Sequence, residues 1–316
     1  MRKCVALALC LLLWGCNKTA RVSAPSDIDE PDRDLYERAM KELTRHNYVV
    51  ARLHLQTLIS TYLDSDYFPK AKYALAESLY LEGGRENLDS AEAAYKDYII
   101  YFRDSDLADD AQLMVAMTHV RRVQSPDRDN TEARLAELEL KEMIASYPNS
   151  DLLEEAKEKL RDVDEVLAEG NFKIANQYFL RKEYKASIDR YTENEEKYPD
   201  YTKMDLNLFY HAESLRMLAP KPNLEASGKY YAEVVSNYPT SKRSKLAIQR
   251  LTELMIPVPP PNPVAVAHAP QEVDKGGFFD KTFGILKGHP AVPTNTGATS
   301  VRDEEKNRID SKRKKD

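Results

Sequence analysis

Five copies of one short signature run through this chain and decide most of what it can become. An aromatic residue is followed three positions later by serine at Tyr62/Ser65, Phe102/Ser105, Tyr147/Ser150 and Tyr238/Ser241. Tyr198 repeats the pattern with Tyr201 in place of the serine. Successive aromatics lie 40, 45, 51 and 40 residues apart, and self-similarity at such a period marks a repeat array.

The flanking positions repeat as well. Eleven before the aromatic stands a small residue (Ala51, Ala91, Ala136, Ser187, Ser227), and seven before it a large one (Leu55, Tyr95, Leu140, Tyr191, Tyr231). Four before come Leu58, Tyr98, Met143, Asn194 and Val234, and three before come Ile59, Ile99, Ile144, Glu195 and Val235. Nine after it stand Ala71, Ala111, Ala156, Asn207 and Ala247. Steps of four, three, one and three keep these side chains on one face of an α-helix. Small residues let helices approach, and large ones fill the space between them. Pro148, Pro199 and Pro239 follow the aromatic directly and stop the helix, because proline lacks the N–H that would continue it. Asp66, Asp106, Asp151 and Ser241 are candidate caps for the helix that follows. Each unit is therefore a helix pair that needs a neighbour to cover its apolar flank, so pairs stack.

The expected fold is all-α: a tetratricopeptide-like solenoid of about five helical hairpins over residues 32–256. Only 10 glycines among 316 residues agree with helix. The fourth copy is the deviant, since Asn194, Glu195 and Asn207 replace apolar residues, and its helix is expected to pack differently. The 51-residue interval is read as a long charged helix from Asp151 to Ala168 and a second from Ala175 to Tyr184. From Pro257 the pattern ends. Six prolines lie between Pro257 and Pro270, followed by a polar stretch that closes on Lys312-Arg313-Lys314-Lys315. Residues 257–316 are read as a disordered tail whose removal leaves thermal stability nearly unchanged.

The N-terminus has another purpose. Arg2 and Lys3 precede an apolar run from Val5 to Trp14, too short to cross the roughly 30 Å hydrocarbon core of a bilayer, so residues 1–15 read as an export signal. Leu13-Trp14-Gly15-Cys16 resembles the bacterial lipobox, whose cysteine becomes the lipidated first residue; Trp14 stands where a smaller residue is usual. That resemblance assigns a covalent lipid, palmitate among its acyl chains, to Cys16, and residues 16–31 become a lipidated tether. Asn17 is not the aspartate that retains lipoproteins at the inner membrane, so the periplasmic face of the outer membrane is expected. Cleavage removes two cations, leaving 44 Lys and Arg against 52 acids, or −8. A net acidic chain without a basic stripe argues against nucleic acid.

Catalytic chemistry has no foothold. The six histidines (His46, His54, His119, His211, His268, His289) show no metal-ligand spacing. There is no glycine-rich phosphate loop, and no cysteine remains as a nucleophile. No enzyme, cofactor or metal is expected, and the array is read as a binder of other proteins.

Signal, lipobox, hairpin repeats and the phrase Tyr147-Pro148-Asn149-Ser150 together resemble the BamD (YfiO) family, the lipoproteins of the β-barrel assembly machinery. Three stretches carry the likeness: Leu35-Tyr36-Glu37-Arg38-Ala39 through Tyr48 and Ala51; Asp127-Arg128-Asp129 ahead of Ala133; and Asn176-Gln177-Tyr178-Phe179 through Arg190 to Tyr198-Pro199-Asp200. It covers roughly residues 1–256, and the long tail is a departure. The resemblance implies a scaffold at the outer membrane that binds BamA and other lipoproteins of the machinery through its later repeats. Its earlier repeats would take unfolded outer-membrane proteins. It makes Tyr36, Tyr48, His54 and Tyr73 candidates for a client groove, and Arg190 and Glu195 candidates for a charged contact to BamA. The competing reading is a periplasmic adaptor of the cell-division coordinator type, which shares the Tyr-Pro-x-Ser phrase. Such adaptors usually carry an N-terminal coiled coil and no lipobox, whereas no heptad run precedes Tyr36.

Overall fold

A computed structural model of the chain describes residues 30–126, 128–218 and 221–267. The export signal, Cys16, the tether up to residue 29 and the tail beyond 267 lie outside the described residues. Within them there are twelve helices and no strand. They are α1 (Pro31–Thr44), α2 (Tyr48–Thr61), α3 (Phe68–Glu82), α4 (Arg85–Tyr101), α5 (Ala108–Arg122), α6 (Thr131–Ser146), α7 (Leu153–Leu180), α8 (Tyr184–Lys197), α9 (Met204–Met217), α10 (Lys221–Asn237), α11 (Lys242–Glu253) and the short α12 (Pro263–Ala267). From α1 to α11, each helix packs on the one before and the one after. Five hairpins therefore stack as a tetratricopeptide-like array, with α11 closing the far end.

The periodic positions behave as their spacing requires. All ten residues at the small and large positions, from Ala51 and Leu55 to Ser227 and Tyr231, are completely buried. So are Ala71, Ala111, Ala156, Asn207 and Ala247. The first unit has its own core, Tyr36, Ala39, Leu43, Ala51, Leu55 and Leu58, closed by Ala71 and Ala74 of α3. Tyr73, Ala76 and Tyr80, on the other face of α3, open the second core, which runs unbroken to Leu251. α11 buries only Ser244, Ala247 and Leu251 and turns Gln249, Thr252 and Glu253 outward, the polar flank that a terminal repeat needs.

Each signature aromatic sits where its helix stops. Tyr62, Phe102, Tyr147 and Tyr198 cap the C-termini of α2, α4, α6 and α8. The serine, not the aspartate beside it, receives the next backbone N–H. Ser65, Ser105, Ser150 and Ser241 accept from Tyr67, Leu107, Leu152 and Arg243 at 2.9–3.2 Å. This corrects the capping role expected of Asp66, Asp106 and Asp151. Three of these serines also donate to an acid at the head of the same hairpin: Ser65 to Asp32, Ser150 to Asp109, Ser241 to Asp205. α3 begins Phe68-Pro69-Lys70 and offers no acid there, and Ser105 pairs with the Tyr98 hydroxyl instead. At the fourth unit, Tyr201 makes the equivalent tie by donating to Glu169 of α7.

The hairpin turns share a mechanism too. α1, α7 and α11 each end with a residue in the left-handed region: His46, Lys182 and Met255, at φ of 61°, 65° and 57°. In each case the residue after it donates back to the third-last helical carbonyl: Asn47 to Glu42, Glu183 to Tyr178, Ile256 to Leu251. This closure satisfies carbonyls that a helix end otherwise leaves open.

Two expectations need correction. The interval from Asp151 to Tyr184 holds one continuous 28-residue helix, α7, not two. Gly170 lies inside it because the backbone of the preceding loop comes too close for a side chain. A Cβ there would stand 2.5 Å from Asn130 Nδ2 and 2.9 Å from the Pro126 carbonyl oxygen. Gly170→Ala should gain about 1 kcal/mol of helix propensity and lose about 1–3 kcal/mol to the forced shift. A lowered melting midpoint is the expected net result, and a raised one would show that the loop yields freely. Secondly, the packed chain does not end at Pro257. Ile256 lies against Gly228 of α10, and the Asn262 N–H donates to the Ser236 carbonyl at 2.9 Å. Chain as far as residue 262 belongs to the folded unit, so a truncation that spares stability has to leave it in place.

Candidate protein-binding surfaces

The irregular fourth unit is the natural place to begin. Its helix α8 packs between α7 and α9 as its counterparts pack between their neighbours, contrary to expectation, and the substituted polar groups pair with one another except for the buried Asn194 Oδ1. Asn194 donates to the Ala168 carbonyl and to Asn207 Oδ1, both at 3.2 Å. Asn207 in turn donates to the Tyr191 carbonyl at 3.1 Å and to Glu195 Oε1 at 2.9 Å. His211, 2% exposed, pairs its Nδ1 with the same Glu195 oxygen at 2.9 Å. Most buried polar atoms are paired in this way. Glu195 is thus held by α9 and does not stand free for a partner.

Arg190 stands differently. It is half-exposed on α8 and bonded to Glu193 at 2.8 Å, and Lys197 joins the same carboxylate at 2.8 Å. Across from this row, α6 carries a second row with the same alternation, Arg134, Glu137 and Lys141, in which Lys141 pairs with Glu137. Between the rows, over Leu167 and Asn171 of α7, lies an open cleft of about 350 Å³, which Tyr198 also lines. Three cations and two carboxylates line it. Arg134 is exposed and, among the described residues, makes no side-chain hydrogen bond or ion pair. Asp164 of α7 feels Glu137 and Lys141 from this cleft, and its burial pushes its carboxyl up to about 6. A cleft with mixed charge, amide donors and one unused guanidinium is equipped to hold a polypeptide by a carboxylate.

At the first unit the candidates divide. Tyr36 and Tyr73 are core residues, 4% and 5% exposed, and their rings pack on Tyr67 and on Tyr95 and Tyr98 respectively. Neither presents a ring to a groove, because helical spacing turned each toward the neighbouring helix. Tyr48 and His54 are only partly buried and remain reachable, with the Tyr48 hydroxyl 2.9 Å from His46 Nδ1. Beside them Val49, Val50 and Leu53 point outward at 66%, 44% and 63% exposure. Sequence reasoning passed over this apolar edge of α2. Its signal was the Val49/Leu53 pair at i, i+4, at positions where the fourth repeat places Lys185 and Asp189 and the fifth Glu225 and Lys229.

Among the described residues no group of three His, Cys, Asp or Glu is placed to hold a metal ion, and no helix is long and apolar enough to cross a membrane.

The family model described as YfiO, outer membrane lipoprotein, matches residues 28–230. A Vibrio cholerae protein called outer membrane protein assembly factor BamD is 26% identical over 199 residues, covering 60% of this chain and 80% of its own length. The protein of that name from Rickettsia prowazekii is 24% identical over 237 residues, covering 75% and 90%. The one from Xylella fastidiosa strain Temecula1 is 23% identical over 207 residues, covering 62% and 68%.

Proposed function

Because the chain belongs to the YfiO (BamD) family of outer membrane lipoproteins, we propose that it is a lipid-anchored scaffold in the assembly of outer-membrane β-barrel proteins. It docks BamA on the α6–α8 cleft and receives unfolded barrel proteins on the first unit. The anchor is the lipidated Cys16. One acyl chain binds a membrane only marginally, so the several chains of a mature lipoprotein are needed to hold the scaffold at the periplasmic face of the outer membrane. No chemistry is performed; the machinery uses the scaffold to bring polypeptides together.

The observation that carries this reading is the cleft itself. Arg134, a surface guanidinium with no side-chain hydrogen bond or ion pair among the described residues, lines the cleft together with Lys141 and Lys197, on a chain whose net charge is −6. A carboxylate on a folded partner completes both rows. The outward edge of α2, with Val49, Val50 and Leu53 beside Tyr48 and His54, supplies the apolar contact that an unfolded client offers in return.

A crosslinked pulldown from membranes tests the docking. BamA should co-purify with the native chain, and Arg134→Glu combined with Arg190→Glu should cut recovery at least tenfold with the melting midpoint unchanged. Equal recovery from both proteins would remove the cleft from the interface. Depletion separates this function from the division-coordinator alternative: barrel proteins should fail to fold, and a septation defect with normal barrels would favour the alternative.

A further inference from the structure

Gln112, Asn194 and Asn207, buried side-chain amides of this chain, all have partners. Asn194 and Asn207 bond to one another and to main-chain carbonyls, and Gln112 of α5 donates to Glu139 of α6 at 2.8 Å. Asn171 of α7 does not follow them. It is 6% exposed, and among the described residues its side chain makes no hydrogen bond. Its polar atoms are not sealed in the core, and it lines the α6–α8 cleft. Tyr198 lines the same cleft at 8% exposure, with its hydroxyl likewise unpaired among the described residues. Asn130, the N-cap residue of α6, makes no side-chain cap bond and lies against Gly170, where a Cβ would stand 2.5 Å from Asn130 Nδ2. Asn130 lines the cleft too, and along α6 it is followed by Arg134, Glu137 and Lys141 at steps of four, three and four. These four form one row, about 16 Å long at the helical rise of roughly 1.5 Å per residue.

We propose that the cleft holds its partner by the main chain: the occupant is an extended segment of BamA, about five residues long at the rise of a strand, with an acidic side chain on Arg134. Docking of BamA at this cleft is the premise, and the form of the docked segment is what the side chains add. An amide side chain matches a peptide group, because its oxygen accepts from an N–H while its NH₂ donates to a C=O. Asn130, Asn171 and the Tyr198 hydroxyl therefore suit a chain whose own N–H and C=O groups are open. A helical segment has spent those groups on itself, whereas an extended segment at an edge has not. Arg134 selects the side chain. A guanidinium takes a carboxylate in a two-bond fork. Lys141 and Lys197 are already engaged by Glu137 and Glu193, so Arg134 is the cation of the cleft with its donors unspent. Pairing through the main chain fixes the register of the segment and leaves its other side chains free to vary.

The test titrates the purified periplasmic region of BamA onto the mature full-length chain and follows hydrogen exchange of BamA in the complex. Asn171→Ala should weaken binding about tenfold, the loss of roughly one amide pair with the main chain. Its melting midpoint should stay level or rise, because the amide has no partner among the described residues of the unbound chain and alanine favours helix. Asn130→Ala should weaken binding by a similar factor, since no cap bond is lost with it. In the native complex about five consecutive BamA amides of extended chain should gain protection, and Asn171→Ala should reduce it. Protection spread over a BamA helix would overturn the proposal. So would an Asn171→Ala chain that binds as the native one does, or one that loses binding together with its melting midpoint. Arg134→Glu combined with Arg190→Glu tells the failures apart. If that double variant loses BamA while Asn171→Ala keeps it, docking at the cleft stands and main-chain capture alone falls. If both bind as the native chain does, the cleft is not the docking site and both fall.

Discussion

Leu140→Ala is expected to cost the folded chain about 2–5 kcal/mol. Leu140 is the large residue of the third repeat, carried by α6, completely buried at the centre of the core that runs from Tyr73 to Leu251. Its loss removes apolar burial and leaves a cavity in a core where Ala111 of α5, Ala136 of α6 itself and Ala156 of α7 are completely buried as well. At about 2–4 °C per kcal/mol for a domain of this size, the melting midpoint should drop by roughly 5–20 °C. Leu138→Ala on the same helix, at 62% exposure, should change it by less than about 0.5 kcal/mol. Denaturant melts of the two variants check this contrast, and equal effects would mean that the hairpins do not share their flanks.

Glu77→Gln should act in the opposite direction. Burial, with Asp110 adding to it, pushes the Glu77 carboxyl up to about 7 from an ordinary value of 4.5. Between those values the folded chain holds a proton that the unfolded chain has released. Stability must therefore fall as pH rises from about 5 to 8, and the favourable contribution is intact only below the unfolded value. The glutamine variant has no proton to lose. It should be more stable than the native chain by on the order of 3 kcal/mol at pH 8. At pH 4 it should match the native chain. Melting midpoints across that range measure the difference, and parallel curves would show that Glu77 ionises as easily as a surface acid.

What the sequence disclosed and what it hid follow from the range of the interactions. The residues at −11 and −7 from each aromatic could be placed in the core because one helix imposes their period, and those at +9 because they recur at a fixed place on the helix that follows. Gly170 could not be read as part of a continuous helix, since the reason for it is Pro126 and Asn130, some forty residues earlier and in a loop. Asp66, Asp106 and Asp151 looked like caps because the local rule admits either residue type; the serine wins because it can accept from the turn and donate to an acid across the hairpin. Tyr36 and Tyr73 are groove candidates only through the family resemblance, and their burial is decided by Tyr67 ahead of α3 and by Tyr95 and Tyr98 of α4. The polar replacements at Asn194, Glu195 and Asn207 read as a defect until each had a partner from another helix. The influence of Asp110 on Glu77 left no local trace at all, because the two carboxyls come from different repeats.

The most direct measurement for the central claim is site-specific photocrosslinking in living cells. A photoreactive residue at Lys197, inside the α6–α8 cleft, should give one dominant adduct that contains BamA. The same residue at Gln249, on the polar outer flank of α11, should give none with BamA. An empty lane at Lys197 beside a BamA adduct at Gln249 would contradict the account.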